Sequence, residues 1–270
     1  MEKYICTQCG VQHKPSDSVP ERCIICEDDR QYVNWGGQQW TTLEQLRKTH
    51  RNKVELDGDE LYGIGIDPSF AIGQRALLVS TPEGNILWDC ISLIDDDTKN
   101  RINELGGIKA IAISHPHFYS SMVEWSEAFG DVPVYLHQAN RKWVMHDDPN
   151  IHYWKGDTFS PWDGLTLIRC GGHFKGSTVL RWAAGAHGKG ALLTGDTIQV
   201  VMDRRYVSFM YSYPNLIPLS VRKVKKIVKS VKHYPFERIY GGWWNKNVTS
   251  DAQKVLKFSS ERYIRTIEEN

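Results

Sequence analysis

Apolar residues in this chain gather in short runs set between glycines, prolines and polar clusters. Leu61-Tyr-Gly-Ile-Gly-Ile-Asp67 alternates apolar with small residues and reads as a strand. Ala76-Leu-Leu-Val-Ser80 and Ile86-Leu-Trp-Asp-Cys90 flank a Pro82-Glu-Gly-Asn85 turn and read as a hairpin. Further strands are expected from Ile108 to Ile113, Val132 to His137, Gly164 to Cys170, Val179 to Ala183 and Gly190 to Thr194. Helical spacing predicts helices from Lys99 to Leu105, ended by Gly106-Gly107, from Met122 to Phe129, after His137 to Trp143, from Val221 to Val231 and over 251–267. Nearer the N-terminus, Thr41 as N-cap and Glu44 three residues on predict a helix running toward Thr49. Strands and helices intermix, and pattern alone reaches only as far as a chain of mixed α and β structure.

Three of these strands deliver residues that bind metals. Ser114-His115-Pro116-His117 follows the Ile108–Ile113 run, and histidines at i and i+2 past a strand end can turn both imidazoles toward one point. His173 sits in the glycine-flanked turn Gly171-Gly-His-Phe-Lys-Gly-Ser177, and Asp196 ends Ala191-Leu-Leu-Thr-Gly-Asp196. Neutral imidazole suits zinc, iron, copper or nickel. Three histidines and a carboxylate, each at a strand-to-loop junction, predict a metal site of His115, His117, His173 and Asp196. His137, His146 and His152 lie at a strand end or in loops and are read as structural, and Cys170 as a buried thiol.

The order strand–His-x-His, Gly-His-x-x-Gly-Ser, Thr-Gly-Asp resembles the metallo-β-lactamase superfamily, over roughly residues 60 to 270. The 76–90 hairpin is similar to that family's first hairpin, with Asp89 at its first motif aspartate, where it could orient the histidine loop. The resemblance implies an α+β chain, an αβ/βα sandwich of two mixed sheets flanked by helices. The family motif His-x-His-x-Asp-His ends here in Tyr119-Ser120, and a C-terminal Gly-His is matched by Tyr240-Gly-Gly-Trp243-Trp244, so the three residues belonging to a second metal are missing. The site expected is therefore mononuclear. Tyr119 could orient water or stabilise an oxyanion, or simply pack under the loop; Trp243 and Trp244 fill the place of the missing ligand, and Asp203 to Tyr213 are candidates for the pocket wall.

Three functions fit that site. The first is a hydrolase using metal-bound hydroxide on an ester, thioester, amide or phosphodiester, with Asp196 as ligand or base. The second is a mononuclear non-haem iron oxidoreductase resembling the persulfide dioxygenases, with His115, His173 and Asp196 as a facial triad. The third is a non-catalytic binding module with a reduced metal site.

The six cysteines change the picture at the N-terminus. Cys6-Thr-Gln-Cys9-Gly and Cys23-Ile-Ile-Cys26 are two knuckles whose thiolates can share one ion. In a reducing compartment such a cluster is a metal site rather than two disulfides. The segment is too poor in apolar residues to build a core, so the metal would supply folding energy. Zinc in a closed structural shell is expected; iron is the alternative, since Cys-x-x-Cys-Gly also resembles rubredoxin, and His13 is a substitute ligand. The expected organisation is a zinc-ribbon-like module over 1–35, a linker and helix over 36–58 with polar residues from Arg51 to Glu60, and the main domain over 59–270. Residues 31–40 are expected to lie against a surface.

Charge adds little: 33 basic and 32 acidic side chains nearly cancel. Neither nucleic acid nor an anionic membrane is favoured by bulk electrostatics. The lysines between Val221 and Lys232 read as a solvated helix face rather than a nucleic-acid surface. No run has the length of a membrane span, the N-terminus has no secretory apolar region, and a cytoplasmic protein acting on a small molecule is expected. Oligomeric state leaves no trace in the sequence.

Overall fold

The computed structural model describes residues 1–58 and 61–269. The chain divides into two compact units, Met1–Leu136 with Arg141–Tyr153, and His137–Asn140 with Trp154–Asn270.

The first unit is organised on a seven-stranded sheet, in the order Arg51–Gly58, Leu61–Asp67, Ala76–Val79, Ile86–Trp88, Ala110–Ala112, Val134–His137 and Ile151–Trp154. The first four strands pair antiparallel; Ile86–Trp88, Ala110–Ala112 and Val134–His137 run parallel. Ala76–Val79, Ile86–Trp88 and Ala110–Ala112 are buried along their whole length, as expected of central strands that read as continuous apolar runs. Three helices belong to this unit: α1 (Leu43–Thr49), α2 (Asp96–Glu104) and α3 (Met122–Ala128).

Four expectations for this unit need correction. The polar stretch from Arg51 is a strand as far as Gly58; its alternation of half-buried and exposed residues fits an edge strand, and polarity hid it. Asp59 and Glu60, and with them the boundary drawn at residue 59, lie outside the described residues. Residues 31–40 do not lie uniformly against a surface: Tyr32, Val33 and Trp35 are exposed, whereas Gln31 is buried and Trp40 packs edge-on against His13 at 4.6 Å. The start of α1 shifts by one residue. Thr42 is the N-cap and accepts from the Gln45 N–H at 3.2 Å, because Thr41 is taken by the short strand Trp40–Thr41. α2 begins earlier than its apolar spacing suggests, at the Asp95 cap.

The second unit is organised on a six-stranded sheet, in the order Thr158–Phe159, Leu165–Arg169, Thr178–Trp182, Ala191–Leu193, Arg238–Tyr240 and Asn247–Val248. All pairs are antiparallel except Ala191–Leu193 with Arg238–Tyr240. Helices α4 (Val221–Val231) and α5 (Ala252–Glu268) close one core with it. Val224, Ile227 and Val231 of α4 and Leu256 of α5 bury against Ile168, Val179, Leu192 and Ile239. Arg222, Lys225, Lys226, Lys229 and Lys232 of the same stretch are exposed, the solvated face expected. No helix among the described residues is long and apolar enough to cross a membrane.

Asp95 links helix and sheet. Its carboxylate accepts the Thr98 N–H at 2.9 Å as the cap of α2 and the Asn52 N–H at 2.7 Å on the edge strand. Burial works to raise this carboxyl, but the backbone donors of Asn52 and Thr98 outweigh it and hold it below the usual carboxylate range. A depressed pKa contributes stability that is present above the unfolded value and lost as pH falls through the folded one. Asp95→Ala is expected to cost about 1–2 kcal/mol at neutral pH, read as a lower melting temperature that converges with the wild type on acidification.

Candidate metal centre

His115 lies three residues beyond Ala112, the end of the central strand Ala110–Ala112. Asp89 fixes the exit: its N–H donates to the Ala112 carbonyl at 2.8 Å and its Oδ1 accepts the Ser114 N–H at 2.7 Å. Asp89 itself is left-handed, with φ 63°. The expected orienting role of Asp89 is thus borne out. His115 is extended, and a 3-10 turn over Pro116–Phe118 follows it. That switch of backbone brings the i and i+2 imidazoles together, with ring centroids 5.1 Å apart. The Ser114 hydroxyl and His115 Nδ1 share a hydrogen bond of 2.9 Å.

His173 is held in the second unit. Gly171 and Gly172 are both left-handed, with φ 69° and 85°, and a Cβ on Gly172 would come within 2.7 Å of Ile227 Cδ1. The turn is closed by the Gly171 N–H to the Ser177 carbonyl at 3.0 Å and the Phe174 N–H to Ser177 Oγ at 2.8 Å. His173 Nδ1–H donates to the Met210 carbonyl at 3.0 Å. A carbonyl can only accept, so Nδ1 carries a proton, and in the neutral ring Nε2 then carries the lone pair. Asp196 follows Ala191–Leu193 through a turn pinned by the Thr194 N–H to the Tyr240 carbonyl at 3.0 Å and Thr194 Oγ1–H to the Ile198 carbonyl at 2.7 Å. The Tyr213 hydroxyl donates to the Asp196 carbonyl at 3.2 Å, and burial, then the Asp196 charge, push that phenol up.

His115, His117, His173 and Asp196 each offer one ligand atom, and these atoms all lie within 4.8 Å of one another. The residues are 0–3% exposed. His173 Nε2 and Asp196 Oδ2 are 3.9 Å apart, beyond a hydrogen bond but suited to two ligands of one ion. Bonds of 2.0–2.1 Å to a tetrahedral ion put neighbouring N and O ligands about 3.3 Å apart. With neutral imidazoles the set carries a single buried negative charge, which a cation would balance. These residues fit a metal.

The four cysteines form a second such group in the first unit. Cys6 and Cys26 sulfurs are 3.5 Å apart, Cys9 and Cys23 sulfurs 3.6 Å. A disulfide would need about 2.05 Å; four thiolates around zinc stand about 3.8 Å apart. Hydrogen bonds from the neighbouring thiols, Cys26 foremost, drive Cys23 strongly toward thiolate, and His13 adds to this from outside the four. Gln38 Nε2–H donates to Cys6 Sγ at 3.0 Å. The group comprises the four cysteines, and His13, considered as a substitute ligand, is not among its members.

Other expected residues separate cleanly. His137 uses both nitrogens structurally, Nε2–H donating to the Gly156 carbonyl at 3.1 Å and Nδ1 accepting the Ala139 N–H at 3.1 Å. Cys170 lies in the apolar core and burial pushes its thiol up to about 12. Of the stretch Asp203 to Tyr213, Met210 and Tyr213 support the site, whereas Asp203 and Arg205 pair with each other on the surface. Trp243 and Trp244 are half-buried, in the turn after Arg238–Tyr240, the strand parallel to the one that delivers Asp196. Tyr119 is buried and lines a cavity of about 10 Å³ with Val11, Gln12, Met122, Val123, Met145 and His146. Burial pushes its phenol well up, so it stays protonated at neutral pH. Sequence reasoning missed the roles of Ser114 and Gln12; single polar residues in loops carry no pattern by which to find them.

With fold and site in view, the comparisons with known proteins fall into place. The fold is that of the metallo-β-lactamases. The crystal structure of DIM-1 metallo-β-lactamase matches with a TM-score of 0.58 at 14% identity, over 80% of this chain and 98% of that one. A metallo-β-lactamase of Cronobacter sakazakii matches with 0.54 at 14% identity, over 83% and 96%, and VMB-1 with 0.59 at 16% identity, over 80% and 98%. No protein-family model matches the chain. The uncharacterized protein YmaE of Bacillus subtilis (strain 168) is 49% identical over 269 residues, 99% of this chain and 97% of the relative, and the chain belongs to the YmaE family.

Thiol titration tests the cysteine group. In the native protein a thiol reagent should find the sulfurs protected; chelation should release the four sulfurs of Cys6, Cys9, Cys23 and Cys26 and leave the core thiols Cys90 and Cys170 unreactive until denaturation. Gly172→Ala should weaken metal retention by the histidine group, measured by chelator competition, while the cysteine group keeps its ion.

Proposed function

We propose that the chain is a hydrolase that works with one divalent ion, held by His115, His117, His173 and Asp196, and that a structural zinc occupies the four-cysteine group. The observation that carries this reading is the convergence of four buried ligand atoms within 4.8 Å. An ion bound there supplies an acidified water at neutral pH and an electrophile for a carbonyl or phosphoryl oxygen. The substrate class taken is a small ester, thioester, amide or phosphodiester.

The residues divide the work. Ser114 and the Met210 carbonyl each engage an outer nitrogen, on His115 and His173, and so turn Nε2 of both rings inward. Asp196 balances the charge of the ion and offers a carboxylate oxygen that can hold a water and take its proton. Burial excludes bulk water, so the charges of this cluster act at low dielectric. Tyr119 can donate a hydrogen bond but not accept a proton, and its surroundings on the Val11–Gln12 side support the packing role over the catalytic one.

Elemental analysis of protein purified without added metal tests the reading. Two ions per chain are expected in the wild type and one in the double variant His115→Ala/His173→Ala. Zinc as the lost ion supports the hydrolase; iron would replace it with the persulfide-oxidising alternative, and one ion in both proteins would overturn it in favour of a binding module. Ser114→Ala should lower metal affinity of the histidine group by about 10–100-fold, with Asp196→Asn losing hydrolysis altogether on any substrate found.

A further inference from the structure

The cysteine module touches the histidine loop. Directly after Cys9 the chain runs Gly10-Val11-Gln12, and this segment lies on residues 90–124. The Gln12 N–H donates to the Ser120 carbonyl at 3.0 Å, and Gln12 Nε2–H to Glu124 Oε1 at 3.2 Å. The Gly10 carbonyl accepts the Ser92 hydroxyl at 2.8 Å. Gly10 is left-handed at φ 81°, and a Cβ there would stand 2.5 Å from Ser92 Oγ, so the approach admits only glycine. Lys3 pairs with Glu124 at 2.9 Å and Glu127 at 3.2 Å on α3, and the Lys14 N–H donates to the Met145 carbonyl at 3.1 Å.

Ser120 is the hub of these contacts. It is left-handed at φ 43°, three residues after His117. Its hydroxyl donates to the Cys90 carbonyl at 3.2 Å and accepts from Gln74 Nε2–H at 3.2 Å. A loop of such backbone needs external hydrogen bonds to hold one geometry. On the module side that bond comes from Gln12, whose own position is set by the knuckle: the Gly10 N–H donates to the Cys6 carbonyl at 2.8 Å and the Cys6 N–H to the Val11 carbonyl at 2.9 Å.

We propose that Gly10 and Gln12 are positioning residues for the His115–His117 ligand pair, so that the ion of the cysteine group sets the metal affinity of the histidine group. The module is then part of the metal centre. The proposal rests on the histidine group being a metal site, and its test includes an arm that does not.

The experiment compares wild type, Gln12→Pro, Gln12→Ala and Ser92→Ala, each loaded with cobalt. Gln12→Pro removes the N–H given to the Ser120 carbonyl; Gln12→Ala keeps it. Thiolate-to-cobalt charge-transfer bands report the cysteine group, and visible ligand-field bands the histidine group. Hydrogen exchange of the amides of 114–121 reports the loop without reference to any metal in the histidine group. Gln12→Pro is expected to keep the charge-transfer bands, raise loop exchange on the order of tenfold and weaken cobalt at the histidine group by about tenfold. Gln12→Ala should leave loop exchange near wild type, and Ser92→Ala should shift it in the same direction as Gln12→Pro by a smaller factor. Loop exchange and affinity within about twofold of wild type in both Gln12→Pro and Ser92→Ala overturn the proposal; should Gln12→Pro lose the cysteine ion, the Ser92→Ala result alone decides. A wild type that takes cobalt only at the thiolates would sink the hydrolase reading and the claim on metal affinity, while the exchange arm would still decide whether Gln12 positions the loop.

Discussion

A carboxylate with almost no access to water is the constraint on which this metal centre depends. Asp196 is 3% exposed and shares its place with three imidazoles that are no more exposed. A buried charge is costly unless it is paired. The Met210 carbonyl takes the Nδ1 side of His173, which leaves Nε2 as the atom turned toward Asp196, 3.9 Å from its Oδ2. A cation with an affinity for imidazole nitrogen satisfies all four residues at once. Strand ends place the donors and outer hydrogen bonds orient them: Asp89 steadies the backbone at Ser114, Ser114 the ring of His115, Met210 the ring of His173, and Tyr213 the backbone of Asp196.

The cysteine group solves a different problem with the same means. Residues 1–35 contain too little apolar side chain for a core, and the pairing Ile5–Cys6 with Trp40–Thr41 is only two residues long. Four sulfurs around one ion would stand in for a core and would hold the loop that follows Cys9 in place. The close approach of Gly10 to Ser92 means that this loop is fitted to its neighbour and not merely tethered to it.

Much of this was legible in the sequence because strands that end in ligands are strands first. The segments before His115, His173 and Asp196 are rich in apolar residues, and knuckle spacing needs no tertiary information. What escaped detection depends on contacts distant in sequence. Arg51–Gly58 is a strand because Leu61–Asp67 offers it an edge, not because its polar residues favour one. The cap of α1 falls on Thr42 because Thr41 pairs with Ile5. The partnership of Gln12 with Ser120 joins two loops over a hundred residues apart, neither carrying a periodic signal. Trp35 is fully exposed where its aromatic neighbourhood suggested cover, since composition cannot tell a packed aromatic from a displayed one.

The departures from the two-metal motif gain a physical account from the same contacts. In the resembling family an aspartate and a histidine stand where this chain has Tyr119 and Ser120. Here Ser120 is committed to Cys90 and Gln74 through its hydroxyl and to Gln12 through its carbonyl. Tyr119 lines the small cavity against Val11 and Gln12. Both positions are thus committed to contacts that pack the loop, and neither side chain is a carboxylate or an imidazole. Restoring an aspartate at 119 would bury a carboxylate among Val11, Met122 and Val123, and restoring a histidine at 120 would break the two hydrogen bonds of the Ser120 hydroxyl at a left-handed residue. Reverting the motif at these two positions would therefore disturb the contacts that hold the histidine loop.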